Sequence, residues 1–173
     1  MANIEITFRA DSIMRLTTFQ MFLPNDVPSQ IREGNPAYGR EPKTLFLLHG
    51  YSGFYKDWAL GSLAHEMAMK YNLAVVMLSG DNSFYVDGKG IGHSYARYVG
   101  SELVDYVRAT FGLATEERDT SVSYTHLDVY KRQLRQYLEA AQGIIGQTMW
   151  GEPVEILGRS ALLLEHRDIG IVY

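Results

Sequence analysis

The sequence predicts an α/β protein with a mostly parallel sheet and an antiparallel hairpin at its N-terminus. Two continuous apolar or β-branched runs, at residues 44–48 and 73–78, have the composition of strands buried on both faces of a parallel sheet. A segment with apolar side chains at helical spacing follows each run, and this alternation favours right-handed parallel crossovers. The N-terminal segment instead alternates apolar and polar residues, which is typical of a half-buried strand.

The N-terminal hairpin is predicted from the period of its side chains. Residues 4–9 alternate between apolar and polar, and Asp11-Ser12 supplies a turn. A second β-prone run, residues 16–23, ends at a proline, so we expect the two runs to pair antiparallel. Residues 24–43 hold four of the five prolines and are predicted to form a loop.

Two amphipathic helices are predicted after the buried strands. Asp57 is the expected cap of a helix over residues 58–71. The apolar face of this helix carries Leu60, Leu63, Ala64, Met67 and Ala68. A glycine-rich loop at residues 87–92 precedes a second helix over residues 95–111, whose apolar side chains recur at intervals of three and four.

The composition excludes several classes of function. The chain has 173 residues and a net charge of −4, so it offers no basic surplus to attract nucleic acid or an anionic membrane. It has no cysteine, which excludes disulfides, thiolate metal sites and a cysteine nucleophile. No His, Asp and Glu residues have metal-ligand spacing and no phosphate loop occurs, so we expect neither a metal nor a cofactor. The start of the chain lacks a secretory signal and no window is apolar enough for a membrane span, so we expect a cytoplasmic protein without membrane partners.

The strongest functional signal follows the first buried run, which ends in His49-Gly50-Tyr51-Ser52-Gly53. Acyl transfer through a serine requires backbone N–H groups that point at the oxygen on which negative charge develops. Such a donor is commonly built on a His-Gly turn after a central strand, because glycine lets the chain turn sharply close to the substrate. The motif predicts part of an oxyanion hole, and the alternative is a strand-ending turn without chemistry.

A second motif, Met77–Asp87, contains Ser-Phe-Tyr-Val-Asp and precedes a helix that bears Glu-Leu-Val at residues 102–104. Together with the His-Gly turn and Asp57-Trp58, these motifs resemble the esterase D family of α/β-hydrolases, which includes tributyrin esterases and S-formylglutathione hydrolases. Their order and spacing fit the family from about residue 3 to residue 120. The resemblance implies an α/β-hydrolase fold and hydrolysis of a small-molecule carboxylester by a Ser-Asp-His triad, without metal or cofactor.

The resemblance also implies roles for individual residues. The main-chain N–H of Tyr51 is the first candidate for the oxyanion hole, and that of Ser52 is the second. Trp58, Phe84 and Tyr85 are candidates to line the acyl or alcohol pocket, although aromatic residues at these positions are as readily explained as core. The resemblance leaves open which ester or thioester is cleaved, and the sequence allows a homo-oligomer.

The nucleophile of the family is missing from the sequence. The family pattern predicts a strand after Thr120 that leads into a Gly-x-Ser-x-Gly elbow, and no such string occurs in the 173 residues. The nearest string, Gly158–Leu162, lacks the second glycine and is better interpreted as a surface turn around Ser160. We therefore expect the triad in a missing half and expect this chain to be inactive.

Residues 122–133 have an unusual property at the level of DNA. They can be encoded by an inverted repeat that resembles two abutted copies of a transposase adaptor end used in preparing sequencing libraries. We therefore divide the chain into residues 1–121, the N-terminal half of an α/β-hydrolase domain, residues 122–133, an artefactual junction, and residues 134–173, an unassigned tail. The alternative is a natural loop with this sequence.

Three functions are compatible with the sequence. The favoured one is a fragment of an esterase from which catalysis is absent. The second is a non-catalytic hydrolase-fold module that binds a partner or ligand, and the third is a short serine hydrolase that uses Ser160 and His166. A sheet that lacks its next parallel strands would leave an apolar edge open, so the fragment is expected to be poorly soluble or molten.

Overall fold

A five-stranded sheet organises residues 1–124, the part of the chain that this computed structural model describes. Its strands are β1 (Ala2–Ala10), β2 (Arg15–Leu23), β3 (Lys43–Leu48), β4 (Leu73–Leu78) and β5 (Thr120–Tyr124), in the spatial order β1-β2-β4-β3-β5. The predictions for the tail, including those for Ser160 and His166, lie outside the described residues.

The strand pairing matches the predicted mixture of directions. β1 pairs antiparallel with β2, which in turn pairs antiparallel with β4. β3 lies in the centre and pairs in parallel with both β4 and β5. The predicted fold class, a mostly parallel α/β sheet with an antiparallel N-terminal hairpin, is confirmed.

Short helices connect the strands. They are α1 (Ser29–Arg32), α2 (Asp57–Gly61), α3 (Ala64–Tyr71), α4 (Tyr95–Arg97) and α5 (Leu103–Phe111), with 3-10 turns at Pro36–Gly39 and Glu117–Asp119. A π-helical segment, Tyr98–Glu102, joins α4 to α5, so the predicted helix over residues 95–111 is present but wider in its second turn. None of the helices within residues 1–124 is long and apolar enough to cross a membrane.

The prediction of one continuous helix over residues 58–71 was wrong. The chain becomes extended at Ser62, with φ −145° and ψ 174°, and α3 begins two residues later. The Ser62 hydroxyl donates to the Trp58 carbonyl at 2.5 Å and accepts from the Ala64 N–H at 3.1 Å, so a side chain takes the place of helical backbone bonds. Leu60 and Leu63 consequently lie exposed rather than on a buried face.

Asp57 also differs from its predicted role as a helix cap. It is the first residue of α2, and Lys56 occupies the cap position. The Asp57 carboxylate accepts from the Phe54 N–H at 3.1 Å, upstream of the helix. It therefore braces the chain that leaves β3 instead of satisfying a helical N–H group.

The apolar core lies on both faces of the sheet. Successive residues of a strand point to opposite faces, so Val75 and Val76, both buried, belong to different clusters. The larger cluster lies under α4 and α5 and includes Tyr98, a fully buried ring whose pKa is raised to about 12 by burial. The smaller cluster lies under α3 and Trp58.

β5 forms an edge of the sheet within the described residues. Its register with β3 runs from Thr44↔Thr120 to Leu48↔Tyr124, so the strand begins where the family pattern expects one. Three of its five residues belong to the segment 122–133, and Val122 is 46% exposed. The proposed boundary after residue 121 therefore falls inside a strand, and the origin of the segment stays a prediction.

Candidate functional site

Two loops meet at the carboxyl edge of the parallel strands, where ligands bind in open α/β sheets. The β3 loop, residues 49–53, follows β3, and the β4 loop, residues 79–86, follows β4. β5 ends at the same edge because it runs parallel to β3. The His-Gly motif and the Ser-Phe-Tyr motif, which are about thirty residues apart in sequence, are therefore neighbours in space.

His49 fastens the two loops together. It is 1% exposed, and its Nε2 accepts a hydrogen bond from the Gly80 N–H at 2.9 Å. Because a backbone N–H can only donate, Nε2 is unprotonated and the ring proton lies on Nδ1, which donates to the Gly50 carbonyl at 2.8 Å. Both ring nitrogens are engaged, so His49 acts as a clamp and not as a proton carrier.

The β3 loop turns sharply at its tip. The Gly53 N–H donates to the Gly50 carbonyl at 3.1 Å, and Ser52, the third residue of this turn, has a φ of 61°. Tyr51 is not among the residues with positive φ, so the turn is of type II. A Cβ atom on Gly53 would overlap the Asp57 carboxylate, which explains the glycine.

The two predicted oxyanion donors differ in what they contact. The Ser52 N–H donates to Oδ1 of Asn82 in the β4 loop at 2.8 Å. Within residues 1–124, no hydrogen bond engages the Tyr51 N–H. Of the two, the Tyr51 N–H is therefore the group available to an incoming oxygen. The oxyanion role of either residue stays a prediction.

The three predicted pocket residues lie in different environments. Trp58 is half-buried against the smaller core cluster, and its Nε1–H donates to the Leu48 carbonyl at 3.1 Å. Tyr85 is buried, and its hydroxyl donates to the His49 carbonyl at 2.9 Å. Phe84 is 48% exposed and stacks on the ring of Tyr51, with centroids 5.6 Å apart. Trp58 and Tyr85 thus support the end of β3, whereas Phe84 lies at the surface of the site.

The β4 loop adopts a strained backbone. Asp81, Phe84 and Tyr85 have φ values of 47°, 54° and 58°, in a region that costs about 1–2 kcal/mol for a residue with a Cβ atom. The Ser83 hydroxyl donates to the Gly80 carbonyl at 2.6 Å and accepts from the Tyr85 N–H at 3.1 Å. Gly80 packs so close to the Tyr85 ring that a Cβ atom at position 80 would overlap it. Local hydrogen bonds and close packing hold the strained conformation.

A polar cluster that the sequence did not reveal anchors the β4 loop to the hairpin. The Asp81 carboxylate pairs with the Arg15 guanidinium and accepts from the Tyr95 hydroxyl. The Arg15 guanidinium also donates to that hydroxyl at 2.8 Å. The turn signal of Asp-Asn-Ser after a strand marks the loop, but partners 66 and 80 residues away from Arg15 leave no local pattern.

A second carboxylate fixes the hairpin turn. Glu102 accepts from the Asp11 N–H at 2.5 Å and from the Ser12 N–H at 2.9 Å. Burial alone would raise the pKa of Glu102, but the hydrogen bonds from Ser12 and Asp11 outweigh it, and the pKa is lowered. The Glu-Leu-Val motif therefore has a structural role in the described part of the chain.

A cavity of about 260 Å³ lies beside the β4 loop, and its lining includes Asp81, Asn82, Ser83, His93 and Tyr95. The lining also includes Val86 and Gly88, and it shares Asp81 and Tyr95 with the polar cluster. Among residues 1–124, no group of three or more His, Asp and Glu side chains is arranged to hold a metal ion.

Comparison of the sequence with known proteins identifies a relative. No family model matches the chain. The acetyl esterase of Caldicellulosiruptor saccharolyticus is 31% identical over 171 residues, which cover 99% of this chain and 60% of the esterase. The chain thus spans about three fifths of the length of this curated relative, and the aligned stretch extends past residue 124.

Solved structures show the same fold. S-formylglutathione hydrolase from Staphylococcus aureus is 26% identical, with a TM-score of 0.57 over 71% of this chain and 46% of that chain. The fluorophosphonate-binding serine hydrolase F of the same organism is 28% identical, with the same TM-score and coverage. An S-formylglutathione hydrolase from Agrobacterium tumefaciens, 17% identical with a TM-score of 0.54 over 70% of this chain and 48% of that chain, shows the fold alone.

These similarities confirm the predicted resemblance to S-formylglutathione hydrolases and related esterases. Residues 1–124 have the fold of part of an α/β-hydrolase, and the chain is similar to esterases and serine hydrolases.

Proposed function

We propose that this chain is the N-terminal part of a serine carboxylester hydrolase of the esterase D type. The substrate is a short-chain ester or thioester, and the 173-residue chain is itself inactive. One observation carries the proposal: within residues 1–124, no hydrogen bond engages the Tyr51 N–H, which lies on a clamped loop at the carboxyl edge of β3. In α/β-hydrolases, this edge is where the nucleophile elbow and the loop after β3 face each other.

The proposed chemistry assigns a clear task to these residues. A serine at the elbow attacks the ester carbonyl with help from a histidine and an aspartate, and negative charge develops on the carbonyl oxygen. The Tyr51 N–H donates to that oxygen together with a second N–H from the elbow. Loss of one such donor typically lowers kcat by about 10²–10³.

The clamp supports this task because the donor is held before substrate binds. The Gly50 carbonyl accepts from both the His49 ring and the Gly53 N–H, and it belongs to the same planar peptide unit as the Tyr51 N–H. Fixing that carbonyl fixes the direction of the N–H on the opposite side of the unit. A donor fixed in this way needs no reorganisation as charge develops.

The proposal that the chain is inactive rests on its sequence, which contains no Gly-x-Ser-x-Gly. The test compares the 173-residue chain with the protein encoded by the natural locus, in which we expect codons 122–133 to be absent and an elbow to follow Thr120. We expect the second protein to hydrolyse p-nitrophenyl acetate and to react with a fluorophosphonate probe, and the 173-residue chain to do neither. An elbow serine to alanine variant of the second protein is the control for background hydrolysis.

Two results would contradict the proposal. Stoichiometric labelling of the 173-residue chain by the probe would show a nucleophile that we have not assigned. If the natural-locus protein hydrolysed no acetyl ester, butyryl ester or thioester, the proposed esterase activity would be refuted.

A non-catalytic binding module is the second candidate, and the missing elbow motif is the observation that favours it. A single long sequencing read across codons 110–140 of the source DNA decides between the two candidates. If codons 122–133 are absent and an elbow follows Thr120, the natural protein is an esterase and the 173-residue sequence contains an artefactual junction. If they are present, the gene encodes a hydrolase fold without its nucleophile, and the binding module becomes the better proposal.

A further inference from the structure

We propose that Asn82 is a positioning residue that selects the conformation of the β3 loop in which the Tyr51 N–H can serve the oxyanion. This inference rests on the proposed esterase function. Asn82 comes from the β4 loop and touches neither the reacting atoms nor the Tyr51 N–H. It acts through the neighbouring peptide unit, which joins Tyr51 to Ser52.

The turn at Gly50–Gly53 has two conformations that keep its closing hydrogen bond. They differ by a flip of the central peptide unit, which exchanges the directions of the Tyr51 carbonyl and the Ser52 N–H. The observed type II form requires Ser52 to have a positive φ, here 61°, which glycine adopts easily and serine does not. The alternative type I form removes that strain.

Asn82 supplies the interaction that opposes the flip. Its Oδ1 accepts from the Ser52 N–H at 2.8 Å, and this bond exists only while the N–H points toward the β4 loop. After a flip, the Tyr51 carbonyl would point toward the β4 loop in place of the N–H. An oxygen in that position adds a negative dipole at the edge where the substrate oxyanion forms, and this repels the developing charge.

The β4 loop is well placed to hold Asn82. Its preceding residue Asp81 is anchored by Arg15 and Tyr95, and its following residue Ser83 is bonded to the Gly80 carbonyl. Asn82 is therefore presented by a braced backbone although it lies at the surface. The strain at Ser52 favours the type I turn, and the hydrogen bond to Asn82 holds the turn in the type II conformation.

The test uses a matched pair of substitutions. Asn82→Leu keeps the shape of the side chain and removes the acceptor, whereas Asn82→Asp keeps the acceptor. Asn82→Leu combined with Ser52→Gly restores the type II turn by removing the strain instead of by supplying the bond. Asn25→Leu, at an exposed position in the loop after β2, is the control for an added leucine at the surface.

In the protein encoded by the natural locus, the nuclear Overhauser effects of the turn report its conformation directly. We expect a strong contact between the Tyr51 Hα and the amide proton of residue 52 in the parent chain, in Asn82→Asp and in the double variant. In Asn82→Leu, we expect a strong contact between the Tyr51 and Ser52 amide protons instead. An unchanged pattern in Asn82→Leu would overturn the proposal, whether or not any protein is active.

In the natural-locus hydrolase, kcat and KM report whether Asn82 supports the oxyanion donor. We expect Asn82→Leu to lower kcat by about tenfold or more and to leave KM within about threefold, because the lost interaction acts on the transition state. The double variant should regain most of the lost kcat, which a residue with a merely structural role would not allow. An active parent whose kcat is insensitive to Asn82→Leu, or is not rescued by Ser52→Gly, would overturn this inference alone. An inactive parent would overturn the proposed esterase, and the conformational test would still decide whether Asn82 holds the type II turn.

Discussion

Replacing Glu102 by glutamine should destabilise the protein at neutral pH and have little effect in acid. The carboxylate accepts two backbone N–H groups of the hairpin turn, at 2.5 and 2.9 Å, and it lies only partly exposed. Glutamine keeps one acceptor oxygen and presents an NH₂ group to the other N–H. Hydrogen bonds to charged groups contribute about 1.5–3 kcal/mol each, and partial access to water reduces the loss, so we expect a decrease of about 1–2 kcal/mol in the free energy of unfolding at pH 7.

The pH dependence has a definite sign. The pKa of Glu102 is lowered in the folded state, so the charged form stabilises the fold above the unfolded pKa of about 4.3, and this stabilisation is lost as the pH falls through the folded value. Urea unfolding of the parent and of Glu102→Gln, followed by circular dichroism, should give curves that separate at pH 7 and converge in acid. Glu66→Gln, an exposed position on α3, is the matched control. A difference of the same size at both ends of the pH range would refute the assignment, because it could not come from the charge.

Three further substitutions test other contacts by the same unfolding assay or by light scattering. Tyr85→Phe removes the hydroxyl that donates to the His49 carbonyl and should cost about 1 kcal/mol; no change would mean that solvent replaces the bond. Gly80→Ala would drive a methyl group into the Tyr85 ring and should cost about 1–3 kcal/mol, whereas Gly39→Ala, which has open space around it, should be nearly neutral. Equal effects of the two glycine substitutions would contradict the packing argument. Val122→Lys places a charge at an exposed position of β5, which is an edge strand among residues 1–124, and should reduce concentration-dependent scattering; unchanged scattering would mean that association does not proceed through this strand.

The two central strands, β3 and β4, were predictable because each is encoded by a continuous apolar run in the sequence. The predicted runs 44–48 and 73–78 correspond to β3 (Lys43–Leu48) and β4 (Leu73–Leu78), since strands covered on both faces must be apolar throughout. The break at Ser62 was missed because apolar periodicity continues through it. A single hydroxyl that bonds the backbone on both sides outweighs that periodicity.

The candidate site was predictable only in part. The His-Gly motif located the β3 loop, but the spacing of residues gave no sign that Gly80 would donate to the His49 ring or that Asn82 would hold Ser52. These contacts depend on two parallel strands ending side by side, which is a property of the sheet. The polar cluster of Arg15, Asp81 and Tyr95 was missed for the same reason.

The clamp at His49 has a consequence for how such a site comes into existence. Within residues 1–124, its hydrogen-bond partners are the Gly50 and Gly80 backbone and the Tyr85 hydroxyl, which precede β5 in the chain. The half of the site that would receive the oxyanion is therefore tied together by contacts that do not involve a nucleophile. During synthesis, which proceeds from the N-terminus, the residues that make these contacts leave the ribosome before β5 and any later segment. The loop loses its conformational entropy when the protein folds, so ordering it does not reduce the affinity for a substrate.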